Sequence, residues 1–202
     1  MGRNSRERAL ETRKKLLEIS VRLFKENGYQ KTTIDDICKE AKLTKGAFYT
    51  HLKNKSEILV NIWKDTDEFI SQEIRYQNIP AAKEKLLSLS RASLHQSELM
   101  GREFTGVVFS TQMMENDPSF MVNKNRLLYH VYHGIITTAQ SQNEIRKDLD
   151  ADAIVDMIFI FLRGLIMDWI FHEGIKLEEF GTRQMSIFLD LFDPSMEMVS
   201  SS

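Results

Sequence analysis

A single cysteine, Cys38, leaves no partner for an internal disulfide. Three prolines and nine glycines in 202 residues are too few to punctuate a chain of short strands, so long helices with short connections are expected. The longest apolar run, 157–171, is interrupted by Arg163 and Asp168 and falls short of the ~20 apolar residues a bilayer crossing needs. The first thirteen residues are polar and charged, with no apolar signal segment. A cytoplasmic protein with no membrane partner is the expectation, and 42% hydrophobic residues are enough for a substantial core. Clustered nucleophiles, acid–base pairs and metal-ligand sets are also missing. Cys38 stands alone, and the five histidines are scattered. His130 and His133 lie three apart, and two histidines by themselves are a weak metal signal. No metal, no cofactor and no enzymatic activity are therefore expected.

The chain does carry a lopsided charge. Residues 1–55 hold 14 Lys/Arg against 7 Asp/Glu, a net of +7, whereas residues 56–202 hold 13 against 22, a net of −9. A basic head on an acidic body suits a polyanion bound at one end. The head is expected to span 1–55 and the body 56–202.

Helical periodicity runs through both. Gly2 to Arg8 read as a flexible basic arm, with Arg3, Arg6 and Arg8 free to reach a minor groove or simply to stay solvated. Leu10, Leu17, Val21 and Phe24 recur at helical spacing from about Ala9 to Asn27, and Gly28 stops the helix. Thr32 or Thr33 caps a second helix with Ile34, Ile37 and Ala41 inward. Thr44 caps a third, running to about Leu52, with Phe48 and Leu52 inward and Lys45, Tyr49 and Thr50 outward. Ser56 with Glu57 opens a longer fourth helix. Two short helices joined by a tight turn and studded with cations have the form of a major-groove reader.

Residues from about Thr12 to Leu59 resemble the DNA-binding domain of tetracycline-repressor-like (TetR family) regulators. The matching elements are Phe24 with Gly28-Tyr29, Thr33-Ile34 with Ile37 and Ala41, Leu43-Thr44-Lys45-Gly46, Phe48-Tyr49-Thr50-His51-Leu52, and Lys55 with Leu59. The resemblance implies an all-α fold: an N-terminal helix-turn-helix DNA-binding domain and a C-terminal helical ligand-binding and dimerisation domain. It also implies that Lys45, Gly46 and Tyr49 face bases and that Thr33, Thr44, Tyr49, Thr50, His51 and Lys55 meet phosphates. The chemistry agrees. A lysine can donate to guanine O6 and N7, a glycine admits close backbone approach, and hydroxyls donate to phosphate oxygens. Two positions depart from the family, which usually has alanine at 38 and glycine at 42. Cys38 is small enough for a tight helix contact. Lys42 would sit in a left-handed turn and bring a further cation toward phosphate.

The body offers less specific signals. Trp63, Phe104, Phe109, Met113, Met114, Tyr129 and Tyr132 are candidates for an adaptable apolar pocket, with ordinary helix core as the alternative. Ile158, Phe161, Leu162, Leu165, Trp169, Phe188 and Leu191, on the last two helices, are candidates for a homodimer seam built as a four-helix bundle. Arg163 and Asp168 should each find a partner, because an unpaired charge in an apolar helix is costly. The expected function is a ligand-responsive repressor, released from a near-palindromic operator on double-stranded DNA by a small hydrophobic or amphiphilic effector. An activator of the same family stays open. An enzyme, or an interaction module with a degenerate head, is disfavoured by the missing catalytic clusters and the intact cation pattern.

Overall fold

A computed structural model describes residues 2–76, 79–114 and 120–196, with side chains for all of these except 2–6, 75 and 76. Among the described residues the chain is helical, with no strand: α1 (Gly2–Asn27), α2 (Ile34–Ala41), α3 (Lys45–His51), α4 (Lys55–Tyr76), α5 (Ala82–Met100), α6 (Arg102–Met114), α7 (Leu127–Ser141), α8 (Ala151–Phe171) and α9 (Leu177–Leu189), followed by two 3-10 turns.

The residues form two compact units, 1–65 with 107–120, and 66–106 with 121–202. The division therefore falls ten residues after the expected 55/56 boundary, inside α4. Ile58, Leu59 and Trp63, in the first three turns of that helix, are buried and belong to the first unit.

In the first unit α1 packs on α2 and α3, with Leu16, Leu17, Leu23 and Phe24 meeting Ile37, Cys38, Ala41, Phe48 and Leu52 as a small closed core. The N-terminal arm is corrected: Gly2 to Arg8 belong to α1, since nothing among these residues breaks a helix. The side chains of Arg3 and Arg6 lie outside the described set. Leu10 is exposed rather than inward.

In the second unit α5 lies along α9 and is flanked by α7 and α8. The contact is closest at Gly181, where a Cβ would come within 2.7 Å of Leu94. α5 starts two residues after Pro80, and its first N–H is capped from afar: Ala82 N donates to Glu144 (2.9 Å). Glu98 likewise accepts from Glu178 N at the start of α9 (2.7 Å). Asp117, Pro118 and residues 197–202 lie outside the described residues. No described helix is long and apolar enough to cross a membrane.

Candidate nucleic-acid interface

The helix-turn-helix is built from local capping. Thr33 Oγ accepts from Asp36 N (3.2 Å), and the Asp36 carboxylate accepts from Thr33 N (2.9 Å) and from Thr33 Oγ (2.6 Å), a closed capping box. These bonds hold the Asp36 carboxyl below its ordinary pKa. At the other end of α2, Lys42 adopts the left-handed conformation (φ 57°, ψ 43°), and Leu43 N returns to Cys38 O (2.9 Å). That closure is the Schellman pattern, which glycine ordinarily serves. Thr44 Oγ then accepts from Ala47 N (3.1 Å) and starts α3. Three residues thus join two helices with their end groups satisfied.

α3 buries Phe48 completely and turns Lys45, Gly46, Tyr49 and Thr50 outward. Tyr49 is 54% exposed, and its ring meets Phe48 edge-on at 5.5 Å, which steadies it without burying the hydroxyl end. Lys45 extends to Asp35 of α2, with Nζ 2.9 Å from Oδ1; the pair is exposed and raises the Lys45 pKa. Thr50 Oγ donates to Gly46 O (2.9 Å). His51 is half-buried in the last turn, and Lys42 and Lys53 are exposed beside α3. Gly46 is informative because the fold makes no demand for it. A Cβ there would meet only Thr44 Oγ, at 3.8 Å. Glycine in a helix costs up to ~1 kcal/mol against alanine, and here it leaves the outer surface bare.

Lys55 is placed differently from the others. Its Nζ donates to Tyr29 O (2.7 Å) and Thr32 O (3.1 Å) and sits 4.0 Å from the Tyr29 ring centroid. Burial pushes its pKa down. The ammonium clamps the 29–32 loop to the start of α4. Asn54 caps that helix, with Oδ1 accepting from Glu57 N (2.8 Å). Sequence reasoning missed Asp35, Tyr29 and Asn54. The Asn54-x-x-Glu57 spacing was a readable cap signal; the other two act across turns. Cys38 is buried, and burial raises its thiol pKa, the opposite of an activated nucleophile.

The body candidates belong to both units. Trp63, Phe109, Met113 and Met114 belong to the first unit, and Phe104, Tyr129 and Tyr132 to the second. Met113 and Met114 are exposed, and Tyr132 is fully buried with its hydroxyl 2.9 Å from Ser90 Oγ. Tyr129 lines a cavity of about 250 Å³. The seam is corrected in part. Ile158, Leu162, Leu165 and Trp169 are buried within the chain, because α8 uses that face on its own neighbours. Phe161 and Phe188 stack at 4.3 Å, and Leu191 is exposed. Met157, Phe171 and Ile187 are also exposed apolar residues of these helices. Asp168 pairs with His172 (3.1 Å), whereas Arg163 donates to Met121 O (3.1 Å).

Residues 16–62 match the family model for bacterial regulatory proteins of the tetR family. The chain is 26% identical over 205 residues to the HTH-type transcriptional regulator AcrR of Shigella flexneri, covering 95% of this chain and 94% of that one. Among solved structures, a putative TetR-family transcriptional regulator from Syntrophomonas wolfei superposes with a TM-score of 0.71 at 20% identity, over 95% of this chain and 98% of that one. FadR from Bacillus subtilis, in complex with stearoyl-CoA, superposes with a TM-score of 0.64 at 22% identity, over 87% and 96% of the two chains. With the capped helix-turn-helix, the outward α3 and these likenesses together, residues 16–62 form a DNA-binding domain of the tetR type, and the chain as a whole is similar to TetR-family transcriptional regulators.

Proposed function

We propose that the protein acts as a homodimeric, ligand-responsive repressor that binds a near-palindromic operator and leaves it when a small hydrophobic or amphiphilic effector binds the body. The observation that carries this reading is the outer face of α3, where Lys45 and Tyr49 flank a glycine the fold does not require. Lys45 reads a base edge, Gly46 lets the backbone come close, and Tyr49, Thr50, Thr33, Thr44, His51 and Lys42 meet phosphates. Lys55 supports the site from behind by holding the 29–32 loop.

Dimerisation is supported by exposed Met157 and Phe171 on α8, Ile187 on α9 and Leu191 in the 3-10 turn after it. Exposed apolar groups on adjacent helices are expensive to leave in water, and a second copy covers them symmetrically. Two α3 helices then stand about 34–36 Å, or a multiple of it, apart. Effector binding favours a conformer with another spacing, and a differential affinity of a few kcal/mol shifts the population by orders of magnitude. α4, which carries residues of both units, is one covalent link through which this passes, and α6 is another. An amphiphilic effector is supported by the stearoyl-CoA bound to one fold neighbour.

Selection of genomic fragments by the purified protein, followed by gel-shift titration over a range of salt, tests the reading. Inverted half-sites and an affinity that falls steeply with salt are expected. Fragments without dyad symmetry would contradict it.

A further inference from the structure

One cation of the body is half-buried with a backbone carbonyl as its hydrogen-bond partner: Arg163, on α8, donates to Met121 O (3.1 Å). Its two cationic neighbours are satisfied. Arg126 makes a bidentate pair with Asp67 (both contacts 2.7 Å), whose side chains are 9% and 5% exposed. Lys124 pairs with Asp156 (2.6 Å), which also accepts from the Tyr129 hydroxyl (3.1 Å). Arg163 is left over: among the described residues it forms no ion pair, and burial and the nearby Arg126 lower its pKa, offset only in part by Asp156, which is already engaged by Lys124. All of these groups belong to the second unit.

Arg126, Lys124 and Arg163 line one cavity of about 250 Å³, together with Tyr129, Phe159 and the Asp156 carboxylate, so three cations face one anion there. At ~30 Å³ per water that is room for about eight water-sized groups, too little for a large ligand but enough for a head group. Val122 and Ile160, each 60% exposed, also line it and leave an apolar way out. A guanidinium carries five donors in a fork suited to carboxylate or phosphate, and one carbonyl does not use them. Holding a surplus positive charge away from water is costly unless an anion arrives to match it.

We propose that this cavity is an anion pocket, in which Arg163 receives the carboxylate or phosphate head of a small amphiphile whose apolar part leaves past Val122 and Ile160. The inference deepens the ligand-sensing reading and rests on it for its biological use. The bland alternative is that Arg163 only staples α8 to the 121–126 segment.

Calorimetric titration of the full chain with octanoate, octyl phosphate and octanol separates the two. One or both anions are expected to bind, which identifies the preferred head group, and octanol at least about tenfold more weakly. Arg163→Gln is expected to remove that preference while Arg163→Lys keeps part of it. Ile160→Asp, at an exposed position, is expected to weaken anion binding by repulsion without lowering the melting temperature, so the test survives if Arg163→Gln fails to fold. Equal binding of octanol and the anions, binding unchanged in Arg163→Gln and Ile160→Asp, or no binding of either anion would overturn the proposal. DNA release is read separately. Arg163-dependent octanoate or octyl phosphate binding that leaves DNA bound upholds the pocket and refutes the sensing reading. Release by the anion that persists in Arg163→Gln refutes the pocket and leaves sensing intact.

Discussion

The Lys45 ammonium lies 2.9 Å from the Asp35 carboxylate, so the exposed cation of α3 is held by the helix before it. The carboxylate aims the lysine and also sets a negative charge where phosphates would pass. Asp35→Asn is therefore expected to raise affinity for all DNA sequences by about two- to fivefold at low salt, with discrimination between sequences reduced. Because the pair is exposed, the melting temperature should barely move. Gel-shift titrations on specific and random duplexes read both effects.

Gly46 separates stability from binding. Gly46→Ala is expected to stabilise the head by up to ~1 kcal/mol, since its methyl meets only Thr44 Oγ at 3.8 Å. The same methyl would stand between backbone and base edges, so affinity for the operator should fall. Thermal denaturation and gel shift on one preparation give both signs.

Lys55 is expected to behave as a structural clamp. Lys55→Met removes two hydrogen bonds to the loop carbonyls and should cost about 1–3 kcal/mol. The slope of log affinity against log salt should stay unchanged, whereas a lost phosphate contact would reduce it by about 1.

In the body, Asp67→Asn leaves the buried Arg126 guanidinium uncompensated and is expected to cost about 3–5 kcal/mol in denaturant unfolding. Asp67→Leu with Arg126→Met should recover most of that loss, because an apolar pair carries no desolvation penalty.

Ile187→Glu places a charge on the exposed apolar face of α9. Light scattering is expected to show a dimer for the parent chain and a monomer for the variant, with operator binding weakened because one half-site is held alone.

The readable parts of the molecule were those built by near neighbours. Thr33 and Thr44 announced α2 and α3 by their own caps, Gly28 announced the end of α1, and Phe48 and Leu52 marked the inward face of α3. What stayed hidden depends on residues far apart in sequence. Glu144 and Glu98 cap α5 and α9 across the body, and Lys55 turns inward to carbonyls more than twenty residues away. The same limit applies to the pocket candidates. An aromatic or methionine at helical spacing says that some face is apolar, not whether that face meets core, cavity or solvent. Met114 and Tyr132 show the two extremes, one exposed and one completely enclosed. On α8 the apolar residues go nearly all round, so periodicity could not divide the face kept inside from the face left for a partner.

The central claim is that the outer side of α3 reads DNA, with Lys45 on a base and Tyr49 on the backbone. It is tested most directly by titrating the parent chain, Lys45→Ala and Tyr49→Phe against the selected operator and a set of single-base-pair variants of it. Lys45→Ala is expected to bind the operator and the variants at one position of each half-site equally well, whereas Tyr49→Phe weakens every duplex by the same factor. Affinities that neither substitution changes, on any duplex, would contradict it.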